Sequence, residues 1–207
     1  MLATLGGQDL PAYYSAGPAD TMIEVLANKG VWAAASDNRN LAQSTLKTLR
    51  RRAKLDDDTR AEADLIEGWL AARASRWNEV VRLLGVMAGS DHLPGSTGME
   101  FQRVAMRWLV ADAYEHLGQP DSAAAVFESM VRDRHDNGSW DHGICYSFVH
   151  RRLVLLDARL GRVAEARRHW ETLSRTCTHP DTDLARGLED ARAALASAEA
   201  VAGSRKR

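Results

Sequence analysis

The sequence predicts an all-α protein, an α-solenoid of about four antiparallel helical hairpins with a C-terminal capping helix. Composition predicts the helices. Alanine occurs 33 times and arginine 23 times in 207 residues, and both are strong helix formers. Only five prolines occur, so residues 19–93 and 121–179 lack the strongest helix breaker. Periodicity predicts the hairpins, because small and large apolar residues recur at matching points of four successive segments.

The order of elements follows from where glycine, proline and small polar residues cluster. Such residues are frequent in residues 1–19, which predicts a poorly ordered lead-in. A helical repeat domain is expected over residues 20–201, and a basic tail over residues 202–207. Breaks within the domain predict about nine helices. These breaks lie at residues 37–40, 56–58, 75–76, 89–98, 118–120, 136–143, 161–162 and 179–180.

The second helices of the four predicted hairpins share a repeat. A small or β-branched residue, here called the anchor, recurs at intervals of 38, 43 and 43 residues, at Ala42, Val80, Ala123 and Ala166. A larger apolar residue follows each anchor after four positions, at Leu46, Leu84, Phe127 and Trp170. A small residue lets two helix backbones approach where they cross, and the larger residue fills the space one turn later.

The last helix is expected over Leu184–Val201. Its apolar residues fall on one face and its charged residues on the other. Such a helix suits the end of a solenoid, which needs a cap with a polar outer face. A helical bundle in which the alanine register is accidental is the alternative architecture.

The third hairpin, WLVADAYEHLGQPDSAAAVFESMV, resembles a tetratricopeptide repeat. The residues in register with that family are Val110, Ala111, Tyr114, Gly118, Ala123, Phe127 and Met130. The fourth hairpin keeps Ala166 and Trp170 but has Asp157 where Tyr is usual. The spacing of 43 residues exceeds the family's repeat of about 34, which predicts longer helices or loops. The resemblance implies stacked hairpins with a concave surface that binds proteins or peptides.

The same resemblance indicates where a partner would bind. In tetratricopeptide-like hairpins the first helix of each pair lines the concave surface. This register places four candidate residues there, Trp69, Trp108, Asp112 and Arg151. Trp and Arg are enriched at binding hot spots, although packing between repeats is an alternative role for each Trp. We therefore expect a non-enzymatic scaffold module whose partner is a protein or a peptide.

The C-terminal half also carries a looser resemblance, strongest between Asp157 and Ala196. It is similar to helical tails that follow the kinase domain of some bacterial Ser/Thr kinases, and to helical segments of some bacterial transcriptional activators. This resemblance implies an alternative function as the sensor or regulatory segment of a bacterial signalling protein. The chain is then expected to be one piece of a longer protein.

Charge and hydropathy argue against nucleic-acid and membrane partners. Acidic residues number 28 against 27 basic ones, whereas nucleic-acid binding needs a basic surface that neutralises several phosphates. The cluster Arg50-Arg51-Arg52 ends a predicted helix, where cations complement the macrodipole. No stretch approaches the roughly 18 apolar residues of a membrane span. The first 28 residues lack Lys and Arg, so we expect no signal peptide and a cytoplasmic location.

Catalytic motifs are missing from the sequence. It has no phosphate-binding Gly-rich loop before a Lys-Ser/Thr pair, no Gly-x-Ser-x-Gly and no His-Glu-x-x-His. Asp112 and His116 lie four residues apart on one predicted helix and can face the same side, as a general acid/base pair would. No nucleophile accompanies them, so a solvated polar helix face is the favoured interpretation. We expect no catalytic residues and no cofactor.

A zinc site near the open end of the fourth hairpin is a weaker hypothesis. Cys145 and Cys177 lie 16 residues before and after Gly161, so two antiparallel helices bring them to the same end. His142 and His179 lie just outside them, and zinc prefers these residue types. However, a Cys-x-His pair is tighter than the usual ligand spacings, and free Cys is often buried. We favour buried cysteines and exposed histidines over metal; a disulfide is a further alternative in an oxidising compartment.

Overall fold

A computed structural model describes residues 23–52, 57–89, 100–137, 140–178, 180 and 182–204. The described residues form nine α-helices and no strands, which confirms the all-α prediction. The helices are α1 (Ile23–Ala35), α2 (Arg39–Arg52), α3 (Asp57–Arg73), α4 (Trp77–Ala88), α5 (Glu100–His116), α6 (Pro120–Asn137), α7 (Trp140–Arg159), α8 (Val163–Thr176) and α9 (Thr182–Ser204). The predicted lead-in over residues 1–19 and the last three residues of the basic tail lie outside the described residues. None of the described helices is long and apolar enough to cross a membrane.

The chain divides into two compact units between Leu117 and Gly118, in the turn of the third predicted hairpin. In the first unit, each of α1 to α4 packs against the next helix, and α3 also packs against α1 and α5. In the second unit, α7 packs against α6, α8 and α9, and α8 packs against α9. Contacts between consecutive helices and between every second helix are the packing of a helical repeat. Each unit is therefore arranged like a solenoid.

The hairpin turns repeat the same backbone geometry. Four of the described residues have a positive φ, namely Asp37 at 65°, Ser75 at 56°, Gly118 at 71° and Gly161 at 72°. Each stands five residues before an anchor, so the turns recur at the anchors' own intervals. At the first, second and fourth turns, two N–H groups reach back to the preceding helix in the Schellman pattern, which ends a helix at a left-handed residue.

The anchors occupy the core as the repeat requires. Each is fully buried, at Ala42, Val80, Ala123 and Ala166. The N–H of each anchor donates to the carbonyl four residues earlier, which forms one of the first hydrogen bonds of the second helix. Among the larger residues one turn later, Leu84 and Phe127 are fully buried, whereas Leu46 and Trp170 are half-buried. The small residue at each anchor therefore lies in the helix interface.

Helices of the first unit pack closely around Gly30 of α1. A Cβ added there would overlap Ile66 Cδ1 of α3 and lie 2.9 Å from Thr45 Cγ2 of α2. Gly30 therefore lies where three helices meet, and only a hydrogen fits between them. This close approach allows α1 and α3 to stack although α2 separates them in sequence.

Candidate functional site

A strip of three residues on α5 includes two of the predicted partner-binding residues. Trp108, Asp112 and His116 follow one another at four-residue intervals, which places them on one helix face. We call them the α5 strip. Trp108 is half-buried, and the Asp112 and His116 side chains are 32% and 51% exposed. His116 Nε2 lies 3.8 Å from Asp112 Oδ2, so the two side chains do face the same side.

An aromatic stack fixes one end of the α5 strip. The ring of Trp77, the first residue of α4, lies parallel to the ring of His116, with centroids 4.0 Å apart and planes 5° apart. Stacking of this kind holds both rings in one orientation. The strip therefore combines an indole, a carboxylate and an imidazole on a partly exposed and partly rigid surface.

Trp69, the third predicted partner-binding residue, lies within the core of the first unit. Its side chain on α3 is buried, with only 6% of the residue exposed. Among the described residues, its indole Nε1 makes no hydrogen bond. Trp69 holds the same repeat position as Asp112, 43 residues later, yet Asp112 reaches the surface. Trp69 is thus packed among other side chains of the first unit. Its contact with a partner stays a prediction.

Arg151, the fourth predicted residue, belongs to the second unit and is half-buried beneath α9. A Cβ added at Gly187 of α9 would overlap Arg151 Nη1, so this helix lies directly against the guanidinium. Burial lowers the pKa of Arg151, and neighbouring Arg152 acts in the same direction. The guanidinium also lies 5.9 Å from the ring centroid of Phe148. The capping helix therefore covers part of a residue that the register had placed on an open groove.

Of the four residues in the zinc hypothesis, the structure describes the side chain of Cys177 alone. Cys177 is a free cysteine, and its thiol donates to Ser147 Oγ at 3.0 Å. His142 and Cys145 lie in α7, but their side chains fall outside the described set, as does His179. The zinc hypothesis at these four residues stays untested.

Two arginines, Arg50 of the Arg50-Arg51-Arg52 cluster and Arg167 of α8, are engaged in ion pairs with neighbouring helices. Arg50 of α2 pairs with both Asp64 and Glu67 of α3, with Arg50 Nη2 2.6 Å from Asp64 Oδ1. Burial acts to lower the pKa of Arg50, but the hydrogen bonds to Glu67 and Asp64 raise it above its ordinary value. Arg167 pairs with Glu199 of α9. Arg50 therefore ties two helices of the first unit together.

A second candidate site is a buried polar cluster in the second unit. It joins three helices through Glu128 of α6, His150 and Asp157 of α7, and His169 of α8, which we call the histidine–carboxylate cluster. His150, Asp157 and His169 are 3%, 2% and 2% exposed, and Glu128 is half-buried. Buried polar groups of this kind persist when they are hydrogen-bonded or when they serve a site.

Hydrogen bonds through His169 connect the cluster. Its Nε2 donates to Glu128 Oε1 at 2.9 Å, and its Nδ1 lies 2.9 Å from His150 Nδ1. Asp157 Oδ2 lies 3.8 Å from His169 Nε2, which is beyond hydrogen-bond distance. The ring of Tyr146 meets the ring of His150 edge-on, with centroids 4.1 Å apart. His169 therefore stands at the centre of the cluster.

The two carboxylates experience opposite electrostatic environments. The hydrogen bond from His169 is the main reason that the pKa of Glu128 lies below its ordinary value, and Arg168 acts in the same direction. Burial is the main reason that the pKa of Asp157 lies above its ordinary value, against the attraction of His169. Asp157 Oδ2 makes no hydrogen bond among the described residues. The Glu128 carboxylate is thus stabilised as the anion, whereas the Asp157 carboxylate is poorly solvated.

Two arginines border the cluster. Arg168 Nη2 lies 3.1 Å from Glu128 Oε1, and Arg162 Nη1 lies 3.8 Å from Asp157 Oδ1. The Arg162 guanidinium also bonds to Asp121 at the start of α6. The Arg162 and Arg168 side chains are 42% and 64% exposed, so they partly neutralise the carboxylates from the solvent side.

The sequence analysis did not identify this cluster as a site. A local signal was present, because Asp157 is a carboxylate at an otherwise apolar stretch of α7, and the structure buries it there. His169 stands three residues after the anchor Ala166, on the same buried side of α8. Polar residues at core positions of a repeat mark such a cluster, but the spacing of its members, over 41 residues from Glu128 to His169, matches no motif.

A comparison of the chain with known protein families, with curated proteins and with solved structures finds no match. The functional assignment therefore depends on the residues themselves.

Proposed function

We propose that this chain is a non-enzymatic scaffold module of tetratricopeptide-like helical hairpins that binds a protein or peptide at the α5 strip. The observation that carries the proposal is the strip itself. A half-buried Trp108 lies one turn from the carboxylate of Asp112 on a partly exposed helix face. The backbone has a positive φ at four equivalent turns, which supports an architecture of repeated hairpins. Stacked hairpins of this kind form extended binding surfaces from their helix faces.

The chemistry of the α5 strip favours a partner segment with one apolar and one basic side chain. Trp108 offers a large rigid surface with few rotatable bonds, a property typical of binding hot spots. Asp112 places a negative charge one turn away, which complements Lys or Arg in the partner. The stacked rings of Trp77 and His116 hold the end of the strip in place before binding. Little conformational entropy is then lost on binding.

Affinity capture from a lysate of the source organism, followed by mass spectrometry, tests this proposal. Trp108→Ala is expected to reduce capture of the partner at least about tenfold, since hot-spot truncations cost about 2 kcal/mol or more. Helical circular dichroism and the Tm should stay close to wild type. Val86→Ala truncates an apolar side chain of α4 that is 85% exposed, and it serves as the control. Capture should survive this control substitution.

Two results contradict the proposal. If Trp108→Ala unfolds the chain, Trp108 is a core residue and the strip is not a binding surface. If the variant folds and captures the same proteins at the same level, the partner binds elsewhere. Asp112→Asn adds an independent readout, because it should weaken binding most at low ionic strength, where charge attraction is least screened.

A second candidate function is regulatory, and the histidine–carboxylate cluster favours it. Asp157 and His169 fall in the segment that is loosely similar to helical tails of bacterial kinases and transcriptional activators. A buried group of titratable side chains linking three helices is a suitable element for sensing pH or a cation. A kinase or DNA-binding domain encoded in the same reading frame would support this function, whereas a stand-alone gene of this length would count against it. A cytoplasmic location is part of both proposals.

A further inference from the structure

We infer that Glu128, Asp157 and His169 form a binding site for a first-row divalent transition-metal ion such as Zn²⁺. His150 orients the ring of His169 through the hydrogen bond between their Nδ1 atoms. The three helices of the second unit that contribute these residues bring one ligand atom from each residue to within 4.8 Å of the others. This site differs from the Cys and His candidates of the sequence analysis, and it does not depend on binding at the α5 strip.

The distances suit an ion centred between the three side chains. His169 Nε2 lies 2.9 Å from Glu128 Oε1 and 3.8 Å from Asp157 Oδ2. At metal–ligand distances of about 2.1 Å, these separations correspond to angles at the metal of about 90° and 130°, which bracket the tetrahedral value. Glu128 is the most exposed of the three, so rotation of its carboxylate can adjust the third angle.

An unpartnered buried oxygen points to a ligand at this place. The Asp157 side chain is 4% exposed, and its Oδ2 makes no hydrogen bond among the described residues. A buried carboxylate oxygen without a partner is costly, because it has lost its hydration without compensation. A cation bound between Asp157 and His169 supplies the missing partner. The same ion neutralises the second carboxylate, Glu128.

The hydrogen bond between the two histidines orients the ligand ring. Metal coordination at His169 Nε2 displaces the proton that this atom shares with Glu128. The proton between the two Nδ1 atoms then moves from His150 to His169, and His150 takes up a proton at Nε2, so each ring keeps one proton. His169 Nδ1 now donates to His150 Nδ1 at 2.9 Å. Metal-bound histidines nearly always donate their second N–H, usually to a carboxylate, a carbonyl or water, which fixes the tautomer and raises ligand basicity. His150 is thus a positioning residue for the site.

The donor set selects the class of ion. One imidazole with two carboxylates suits Zn²⁺ and its first-row neighbours, whereas Ca²⁺ and Mg²⁺ prefer all-oxygen sites. Arg162 and Arg168 border the site and repel cations, but both reach the solvent and are able to turn away. Three protein ligands leave a fourth position for water.

Titration calorimetry with Zn²⁺ on the full chain tests the site, using protein without an affinity tag that has been dialysed against a chelator. We expect about one equivalent of Zn²⁺ to bind, with release of protons that grows as the pH falls. Asp157→Asn should weaken binding about tenfold or more, since even outer-shell partners are worth about 10- to 100-fold. Cys177→Ser is the matched control for the alternative cysteine site, and it should leave the affinity within about twofold.

Two further measurements keep the test decisive. Glu128→Gln alters the more exposed carboxylate and should also weaken binding, so the inference does not depend on the folding of one variant. Co²⁺ in place of Zn²⁺ should show visible d–d absorption without a thiolate charge-transfer band. Binding of less than about 0.1 equivalent overturns the site. A thiolate band, or loss of affinity in Cys177→Ser with full affinity in Asp157→Asn, places the ion elsewhere and overturns it as well.

Discussion

The Nδ1 atoms of His150 and His169 lie 2.9 Å apart across the interface between α7 and α8. One of these nitrogens must carry a hydrogen and the other must accept it, so the pair fixes the proton positions of both rings. Because His169 Nε2 also bonds to Glu128, a continuous hydrogen-bonded path connects α7, α8 and α6. The second unit is therefore held together by polar contacts as well as by its apolar core.

The bond from His169 to Glu128 makes the stability of the second unit depend on pH. The folded-state pKa of Glu128 is lowered, so its contribution is present above its unfolded pKa and is lost as the pH falls through the folded value. Glu128→Gln should therefore destabilise the chain at pH 7 by about 1 kcal/mol, allowing for partial exposure. The difference should shrink as the pH falls below about 4.3, the ordinary pKa of Glu, and vanish once the folded-state carboxylate is protonated.

Urea unfolding at a series of pH values measures this effect. Glu199→Gln is the control, because it removes an exposed carboxylate that pairs with Arg167. Exposed ion pairs contribute little, so this variant should unfold close to wild type at every pH. A constant difference between Glu128→Gln and wild type across the pH range would contradict the assignment.

Asp157 should show the opposite pH dependence. Burial raises its folded-state pKa, so its favourable contribution is present at low pH and is lost as the pH rises through the folded value. Asp157→Asn should accordingly gain stability relative to wild type between about pH 4 and pH 7. Thermal unfolding in metal-free buffer checks this prediction. A variant that is less stable than wild type at pH 7 and equal to it at pH 4 would show that the carboxylate is stabilising.

The left-handed turn at Ser75 offers a test of the repeat geometry. Ser75 has a φ of 56°, a conformation that costs a residue with a Cβ about 1–2 kcal/mol. Ser75→Gly removes that cost. Glycine also increases the conformational entropy of the unfolded chain, which offsets part of the gain, so a net stabilisation of about 0.5 kcal/mol is expected. Gly161→Ser at the equivalent turn should instead destabilise by about 1 kcal/mol.

Denaturant unfolding of both turn variants gives the comparison. Ser44→Gly, at an exposed position in the middle of α2, is the control, and it should lose about 0.5 kcal/mol because glycine disfavours helix. Should Ser75→Gly lose as much as this control, the second turn would lack the left-handed residue and the four hairpins would not share one geometry.

Close packing at Gly30 predicts a coupling between α1 and α3. In Gly30→Ala the new methyl group would overlap Ile66 Cδ1. Overpacking typically costs about 1–3 kcal/mol, and helix propensity returns about 1 kcal/mol, so a net loss of about 1 kcal/mol is expected. Ile66→Val removes Cδ1 and alone costs about 1 kcal/mol.

The double variant Gly30→Ala/Ile66→Val distinguishes close packing from other effects of the alanine. Removal of Cδ1 makes room for the new methyl group, so the double variant should lose less stability than the sum of the two single variants. Urea unfolding of all four proteins provides the cycle. Strict additivity would mean that Gly30 and Ile66 are not in contact.

Local sequence information was sufficient to predict the helices and turns. The positions of Gly, Pro and small polar residues predicted about nine helices, and the structure shows nine in the residues it describes. The anchors predicted where helices cross, and all four are fully buried. The turns were predictable for the same reason, because each is decided by a few consecutive residues. Asp37 and Ser75 adopt the positive φ that Gly118 and Gly161 adopt more readily.

The candidate sites were less predictable, because accessibility depends on which side chains arrive from other helices. Trp69 and Asp112 hold the same repeat position, yet the first is buried and the second reaches the surface. The same register placed Arg151 on an open groove, whereas α9 packs directly against it at Gly187. Periodicity identifies the face of a helix that a residue occupies, but not what covers that face.

Backbone preferences and apolar spacing act over a few residues, so the helices, the hairpin turns and the register of the anchors could be predicted locally. The meeting of Glu128, His150, Asp157 and His169 depends instead on how the helices pack. These residues come from three helices and lie up to 41 positions apart, so no local pattern relates them. Packing of α6, α7 and α8 places these four side chains in a low-dielectric interior. Electrostatic interactions are stronger there than in water, so a proton or a metal ion held by these side chains has a large effect on the free energy of the second unit.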